Sequence, residues 1–407
     1  MAQKKQRVLV GLSGGVDSAV SAYLLLKAGY EVEGAFMKNW SSTVGLKLAE
    51  CPWLADRQEA LRVAAFLGIP LHTLDFEKEY QNTVMKYFFT EYQAGRTPNP
   101  DVMCNKEIKF KLLYNWAMSH GFDFLATGHY AQIEKREKRK EKSLKSSSPL
   151  STAPFSLLRS KDEFKDQTYF IYNITPAQLP RVLFPIGGMK KPEVKKLAAR
   201  IGLPNAARKE SMGLCFVGKV RLKDFLEQKV KAKPGKIFLE TRDKRQETRK
   251  PGGVSSFVTC HLSLIGQHAG LHNYTIGQRQ GINVGGPGGP YFVLRKDIKK
   301  NILYVTNDPK DPGLEVTQVQ LHSVNWITEL GYRGQVTGKS KALTSTLKPL
   351  TLLARYRHQG ELVPCTVEQT GKGLYTVKFK TPGKALASGQ SIVFYKGRIC
   401  LGGGIIV

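Results

Sequence analysis

The chain has 407 residues, enough for two or three domains with cores of their own, and its 62 Lys and Arg against 33 Asp and Glu leave a formal charge of +29. That excess calls for a polyanionic partner, nucleic acid first and an anionic membrane second. Six scattered cysteines, Cys51, Cys104, Cys215, Cys260, Cys365 and Cys400, form no Cys-x-x-Cys pair, which excludes a zinc ribbon or thioredoxin-type motif and fits a reducing compartment; with no apolar signal stretch and no bilayer-length apolar segment, the expectation is a cytoplasmic protein with no membrane partner.

Residues 8–12 read as a strand and 16–27 as a helix that stops at Gly29. The turn between them is Gly11-Leu12-Ser13-Gly14-Gly15-Val16-Asp17-Ser18. Where a strand feeds a glycine turn that opens a helix, backbone N–H groups and the helix dipole converge on one spot suited to an anion. The glycines allow a phosphate close to the backbone, and Ser13 and Ser18 add hydroxyl donors. No Gly-Lys-Ser/Thr closes the loop, so it is not a Walker A sequence. It resembles the Ser-Gly-Gly-x-Asp-Ser pyrophosphate loop of enzymes that split ATP into AMP and pyrophosphate.

Residues 31–37 give a second strand, 56–67 a helix capped by Asp56, 71–75 a third strand, 80–94 a long helix and 123–127 a further strand. The alternation predicts an α/β domain with a doubly wound parallel sheet. Such sheets bind ligands at the carboxyl ends of their strands, where the glycine loop, Met37 and Gly128 fall. In Asn99-Pro100-Asp101-Val102-Met103-Cys104-Asn105, Pro98 and Pro100 are expected to keep the chain non-helical, with a helix starting near Lys106. Cys104 then sits at a helix N-terminus close to Lys106 and Lys109, a setting that favours thiolate. Asp101 is placed to exchange protons with a substrate. Taken alone, the segment reads equally as a buried structural cysteine beside a helix cap.

Residues 134–154 break the alternation. From Glu134 to Lys145 there are seven basic and three acidic residues, then a Ser/Pro/Thr stretch, expected as a mobile surface insertion that either helps hold RNA or is simply solvated. The segment Glu210-Ser211-Met212-Gly213-Leu214-Cys215-Phe216-Val217-Gly218 sets Cys215 between glycines, and with Cys104 it makes a candidate thiol–disulfide or sulfur-relay couple. From about 212 the chain reads as glycine-rich and loop-rich, and a second basic stretch covers 229–250. Strands at 351–356, 362–368, 375–379, 391–395 and 399–404 predict a small antiparallel β-barrel. The expected domains are 1–211, 212–308 and 309–407.

Several segments share one order: Ser13–Ser18, Phe36-Met37-Lys38-Asn39-Trp40, Asn99–Asn105, Thr127-Gly128-His129-Tyr130, Lys165-Asp166-Gln167-Thr168-Tyr169, Gly213-Leu214-Cys215-Phe216, Tyr274-Thr275-Ile276-Gly277-Gln278-Arg279, Arg355-Tyr356-Arg357 and Ser388-Gly389-Gln390. As an ordered set they resemble the bacterial tRNA-specific 2-thiouridylases, the MnmA family, over essentially the whole chain. The resemblance implies an adenine nucleotide alpha-hydrolase-like catalytic domain, a central tRNA-docking domain and a tRNA-binding C-terminal barrel. It implies ATP at Gly11, Leu12, Ser13, Gly14, Gly15, Val16, Asp17, Ser18, Met37 and Gly128, with Mg²⁺ on the phosphates and Asp17 as the nearest loop carboxylate. Asn99, Pro100 and Asp101 would contact the target base, Cys104 would be the nucleophile and Cys215 would carry a persulfide. His129, Lys165, Asp166, Gln167, Arg355, Tyr356 and Gln390 would contact tRNA: Arg355 holding a phosphate, Tyr356 stacking on a base, Asp166 accepting from base amino groups. The implied partners are tRNAs for Lys, Glu and Gln and a cysteine desulfurase or sulfur-relay protein as sulfur donor.

The chain departs from the family pattern before Cys215, where Asp-Ser-Thr-Gly-Ile is usual and Glu210-Ser211-Met212-Gly213-Leu214 stands here; the lost threonine hydroxyl alters the loop's hydrogen bonding. Two other readings compete. One is a small-molecule ligase of the amidating or argininosuccinate type, disfavoured by the two ordered cysteines and the charge. The other is a tRNA-binding protein without catalysis, disfavoured by the intact Ser13, Asp17, Ser18, Cys104 and Cys215. The basic surface predicts that tRNA affinity, measured by filter binding, falls steeply between low and moderate salt; a flat response would remove the charge argument.

Overall fold

In the computed structural model the described residues are 5–41, 53–135, 154–209, 226, 229–242, 260–282, 284, 288–328 and 350–407. Cys51, Cys215, most of the basic insertion (136–153) and part of the second basic stretch (243–250) lie outside them.

The first domain alternates as expected: β1 (Arg7–Gly11), α1 (Val16–Lys27), β2 (Glu31–Lys38), α2 (Trp53–Leu67) and β3 (Leu71–Asp75). A helical run follows, α3 (Glu77–Tyr80) passing through π-helical Gln81–Met85 into α4 (Lys86–Gln93). A second run joins α5 (Pro100–Cys104), π-helical Asn105–Leu113 and α6 (Tyr114–Ser119). Then come β4 (Phe124–Ala126), β5 (Ala131–Lys135), β6 (Phe155–Arg159), α7 (Thr168–Ile171), β7 (Val182–Leu183) and α8 (Lys191–Arg200). Strands β3-β2-β1-β4-β7 form one all-parallel sheet. Alternation along β1 sends Val8 and Val10 into a core with α1, α2 and α8, and Leu9 into the opposite core with residues 102–117. Leu9 and Val10 are fully buried, each worth about 1.5–3 kcal/mol. The strand order reverses between β1 and β4, which opens a crevice at their carboxyl ends.

The central region corrects the loop-rich expectation. Strands β8 (Gly235–Arg242), β9 (Cys260–His268), β10 (Phe292–Asp297) and β11 (Ile302–Thr306) form a sheet in the order β10-β11-β8-β9, with β8 and β11 parallel. Ile237, Val293, Leu303 and Val305 fill its core with Tyr274 and Tyr291.

The C-terminal strands are β12 (Glu315–Trp326), β13 (Leu350–Arg355), β14 (Val363–Gly371), β15 (Leu374–Lys384), β16 (Ser391–Lys396) and β17 (Ile399–Ile406). Hydrogen bonding runs β12-β15-β14-β13-β16-β17, and β12 also pairs with β17, closing a six-stranded antiparallel barrel. β12 is the strand that the sequence reading did not delimit. Closure depends on Gly402 and Gly403. A Cβ on Gly402 would collide with Asn325 O on β12, and one on Gly403 would lie 2.5 Å from Ile392 O on β16.

The hairpin β5–β6 leaves the parallel sheet and joins the barrel: Leu158 and Leu157 on β6 pair with Ile399 and Cys400 on β17. Glu134 and Lys135, read as part of a surface insertion, therefore belong to a strand. Beside this seam Asp166, 1% exposed, accepts from Arg355 Nη1 at 2.8 Å, with Arg159 Nε at 3.4 Å and the Thr168 hydroxyl at 2.9 Å. Arg355→Met would leave a dry carboxylate with Arg159 as its remaining guanidinium. Truncating one partner of a buried pair costs about 3 kcal/mol or more, so the variant's urea midpoint falls, with the barrel and the first domain losing their joint transition.

Candidate functional site

The crevice collects the sequence-marked glycine loop. Gly11 to Ser18 follows β1, Met37 lies near the end of β2, and Gly128 follows β4, on three adjacent strands. Gly15 caps α1 with no side-chain hydrogen bond to the first-turn amides. The loop is braced internally: Ser13 N donates to Ser18 Oγ at 3.3 Å, and Ser18 Oγ donates to Gly15 O at 3.0 Å. The Gly14 carbonyl is held from outside by Asn205 Nδ2 at 2.9 Å and Arg208 Nη1 at 3.0 Å. Anchoring that carbonyl leaves the N–H side of the turn for a ligand.

Asp17 does not stand as an open carboxylate. Lys191 Nζ, at the start of α8, donates to both oxygens at 2.7 and 2.8 Å, and Tyr130 Oη donates to Oδ1 at 3.0 Å. The loop that lacks a Walker lysine thus has a buried lysine beside it, brought from 174 residues away. Sequence reasoning missed Lys191, Tyr130, Asn205 and Arg208. Pro192 and the apolar spacing of Val194, Leu197 and Ala198 do signal a helix there, but not where its first side chain reaches. No group of three or more His, Cys, Asp or Glu that would cage a metal occurs among the described residues.

The second segment is a helix where a non-helical approach was expected. Asn99 is the N-cap, its Oδ1 accepting from Val102 N at 3.2 Å, and α5 starts at Pro100. Proline suits the first helical turn because its missing N–H would have no intrahelical partner there. Cys104 is consequently the fifth residue of α5, buried among Tyr80, Val84, Phe88 and Ile108, rather than at the helix N-terminus. The dipole argument for its thiolate weakens accordingly, since that field falls off within the first turn. Burial holds the Asp101 carboxyl above its ordinary range, against the opposing charge of Lys109. Met37, near the carboxyl end of β2, packs against the same cluster that encloses Cys104.

The expected tRNA contacts divide. Asp166 and Arg355 are buried at 1% and 4% exposure and pair with each other, so their charges are engaged within the fold rather than held out to solvent. His129 is also buried, with Nδ1 2.8 Å from Thr127 Oγ1 and Nε2 3.5 Å from Lys109 Nζ. Burial, reinforced by Lys109, lowers its pKa well below the ordinary histidine range, so it is neutral at pH 7. Gln167 Oε1 accepts from Tyr130 N at 2.9 Å, and Gln390 Nε2 donates to Thr97 O at 2.8 Å, so both side chains brace backbone. Lys165 and Tyr356 are half-buried, with some surface left to offer.

Gly128 is the point where the β4 end meets the loop. A Cβ there would lie 2.7 Å from Ser18 N and 2.9 Å from Asp17 C, both backbone atoms that cannot yield cheaply. Gly128→Ala therefore displaces the loop and lowers ATP affinity at least tenfold by equilibrium dialysis, whereas unchanged affinity would place the nucleotide elsewhere.

Three family profiles match the chain in order. One described as "tRNA methyl transferase HUP domain" covers residues 6–219, "tRNA methyl transferase PRC-barrel domain" covers 223–307, and "Aminomethyltransferase beta-barrel domain" covers 317–406. Among curated proteins, "tRNA-specific 2-thiouridylase MnmA" of Bacillus licheniformis is 43% identical over 98% of this chain and 94% of its own length. The protein of the same name from Alcanivorax borkumensis is 39% identical over 100% of this chain and 98% of its own. That from Pseudomonas fluorescens is 41% identical over 99% and 95%. With half the chain matched by one profile and full-length relatives near 40% identity, the chain belongs to the MnmA family of tRNA-specific 2-thiouridylases.

Proposed function

We propose that the protein replaces O2 of the wobble uridine, position 34, of tRNA with sulfur, at the expense of ATP. The observation that supports the reading is the placement of the glycine loop, Met37 and Gly128 at the carboxyl ends of three adjacent strands, with Met37 packed on the cluster that encloses Cys104, in a chain of this family. The C2 oxygen of uridine is a poor leaving group. Its attack on the α-phosphate of ATP releases pyrophosphate and turns it into the leaving group AMP. The loop amides and the Ser13 hydroxyl hold the phosphates, and Lys191, paired with Asp17, offsets that carboxylate's charge beside them. Magnesium bound with the nucleotide would neutralise charge developing on the phosphates.

The target base leaves its stack to reach Asn99, Pro100 and Asp101. Asp101, its pKa raised by burial, holds a proton more readily than an exposed carboxylate would. A persulfide on Cys215, loaded by a cysteine desulfurase or relay protein, provides the sulfur. Cys104 either attacks the inner sulfur of that persulfide and liberates sulfide, which adds to C2, or resolves the persulfide after its outer sulfur has added. Either route expels AMP and leaves a Cys104–Cys215 disulfide, which an external thiol must reduce. The central domain and the barrel serve as docking surfaces for the tRNA, with domain limits near 211 and 308.

Nucleoside mass spectrometry on unmodified tRNA for Lys, incubated with protein, Mg-ATP and a sulfur source, tests this. Wild type forms 2-thiouridine only with ATP, and Cys215→Ala forms none while still binding ATP. Normal thiolation by Cys215→Ala sinks the persulfide role. AMP and pyrophosphate formed without thiouridine, and stimulated by a small acid rather than tRNA, would move the assignment to a ligase.

A further inference from the structure

The segment leading into α5 crosses a junction of all three domains. Thr97 N donates to Ser388 O of the barrel at 2.9 Å, and Gln390 Nε2 donates to Thr97 O and Pro98 O at 2.8 and 3.3 Å. From the central domain, Thr275 Oγ1 lies 3.1 Å from Thr97 Oγ1. Ile298, in the turn after β10, presses on Gly95 so closely that its Cδ1 would lie within contact distance of any added Cβ. On the barrel side Gly389 has φ +89°, and a Cβ there would lie 2.9 Å from Thr97 O. Glycine is what lets the two backbones meet. Two residues beyond Thr97, Asn99 caps the helix that carries Asp101 and Cys104. The chain between is Pro98-Asn99-Pro100, whose two fixed φ angles leave little slack to absorb a shift at Thr97.

We propose that Thr97 and Thr275 are positioning residues, a three-domain clamp that fixes the start of α5, and with it Asp101 and Cys104, relative to the two domains on which tRNA docks. The inference rests on the thiolation reading for its kinetic consequence and on geometry alone for its structural one. The hydroxyl pair is the part of the clamp that a substitution removes most cleanly: Thr275→Val keeps the shape, and Thr275→Ser keeps the hydroxyl.

Two measurements on the full chain decide it. Hydrogen–deuterium exchange without substrate reads the amides of Val102 to Asn105. Single-turnover thiolation at saturating tRNA is read beside the tRNA Kd from filter binding. The clamp predicts faster exchange in Thr275→Val, a thiolation rate lowered about fivefold, as expected for one net hydrogen bond, an unchanged Kd, and recovery of all of this in Thr275→Ser. Exchange equal to wild type in Thr275→Val overturns the clamp. So does a weakened Kd with the saturated rate intact, or a Thr275→Ser protein as impaired as Thr275→Val. If wild type forms no thionucleoside, the thiolation reading fails, and the exchange comparison by itself still upholds or overturns the clamp.

Discussion

A carboxylate removed from water must be given cations and donors by the protein itself. Asp166 receives them from two domains at once: Arg355 from the barrel, Arg159 from β6, and the Thr168 hydroxyl from the start of α7. Separating the domains would strand that charge. The Tyr169 and Tyr172 hydroxyls add hydrogen bonds to Ser391 across the same seam, and β6 extends the barrel's sheet. The barrel is consequently registered against the parallel sheet to within hydrogen-bond tolerance. A loop such as Arg96–Asn99, held from the far side by Ser388 and Gln390, needs that registration to have a defined position.

Inside the first domain the same logic holds around Asp17. The helix dipole favours an acidic residue in the first turn of α1, but its charge would repel phosphates brought to the loop. Lys191 neutralises it while remaining near the loop, and Tyr130 orients it. The loop's own hydrogen bonds are short-range and cannot set its place in the fold. Gly128 and the Gly14 carbonyl do that, by contact with β4's end and with Asn205 and Arg208.

What could be read from the sequence was local. The β1–loop–α1 unit, the parallel alternation and five of the six barrel strands are written in runs of a few residues, and they stand where the pattern put them. At Pro100 two proline effects oppose each other, the restriction on the preceding residue and proline's fitness for the first helical turn, and the second prevails. The central sheet escaped because its parallel pair, β8 and β11, joins residues far apart in the chain, with glycine-rich connections between. The Asp166–Arg355 and Asp17–Lys191 pairs span 189 and 174 positions. No spacing rule reaches that far, so neither pair can be read from the sequence.

The seam between β6 and β17 also orders events in time. Chains emerge from the ribosome N-terminus first, and domains fold as they appear. β6 is made early and β17 last among the strands, so the growing chain carries an open β6 edge through the synthesis of about two further domains. The barrel cannot close before then either, because β17 is the neighbour that β12 is waiting for. One late strand therefore ends two exposures in a single docking step, making the nascent chain most vulnerable to misassociation just before β17 emerges.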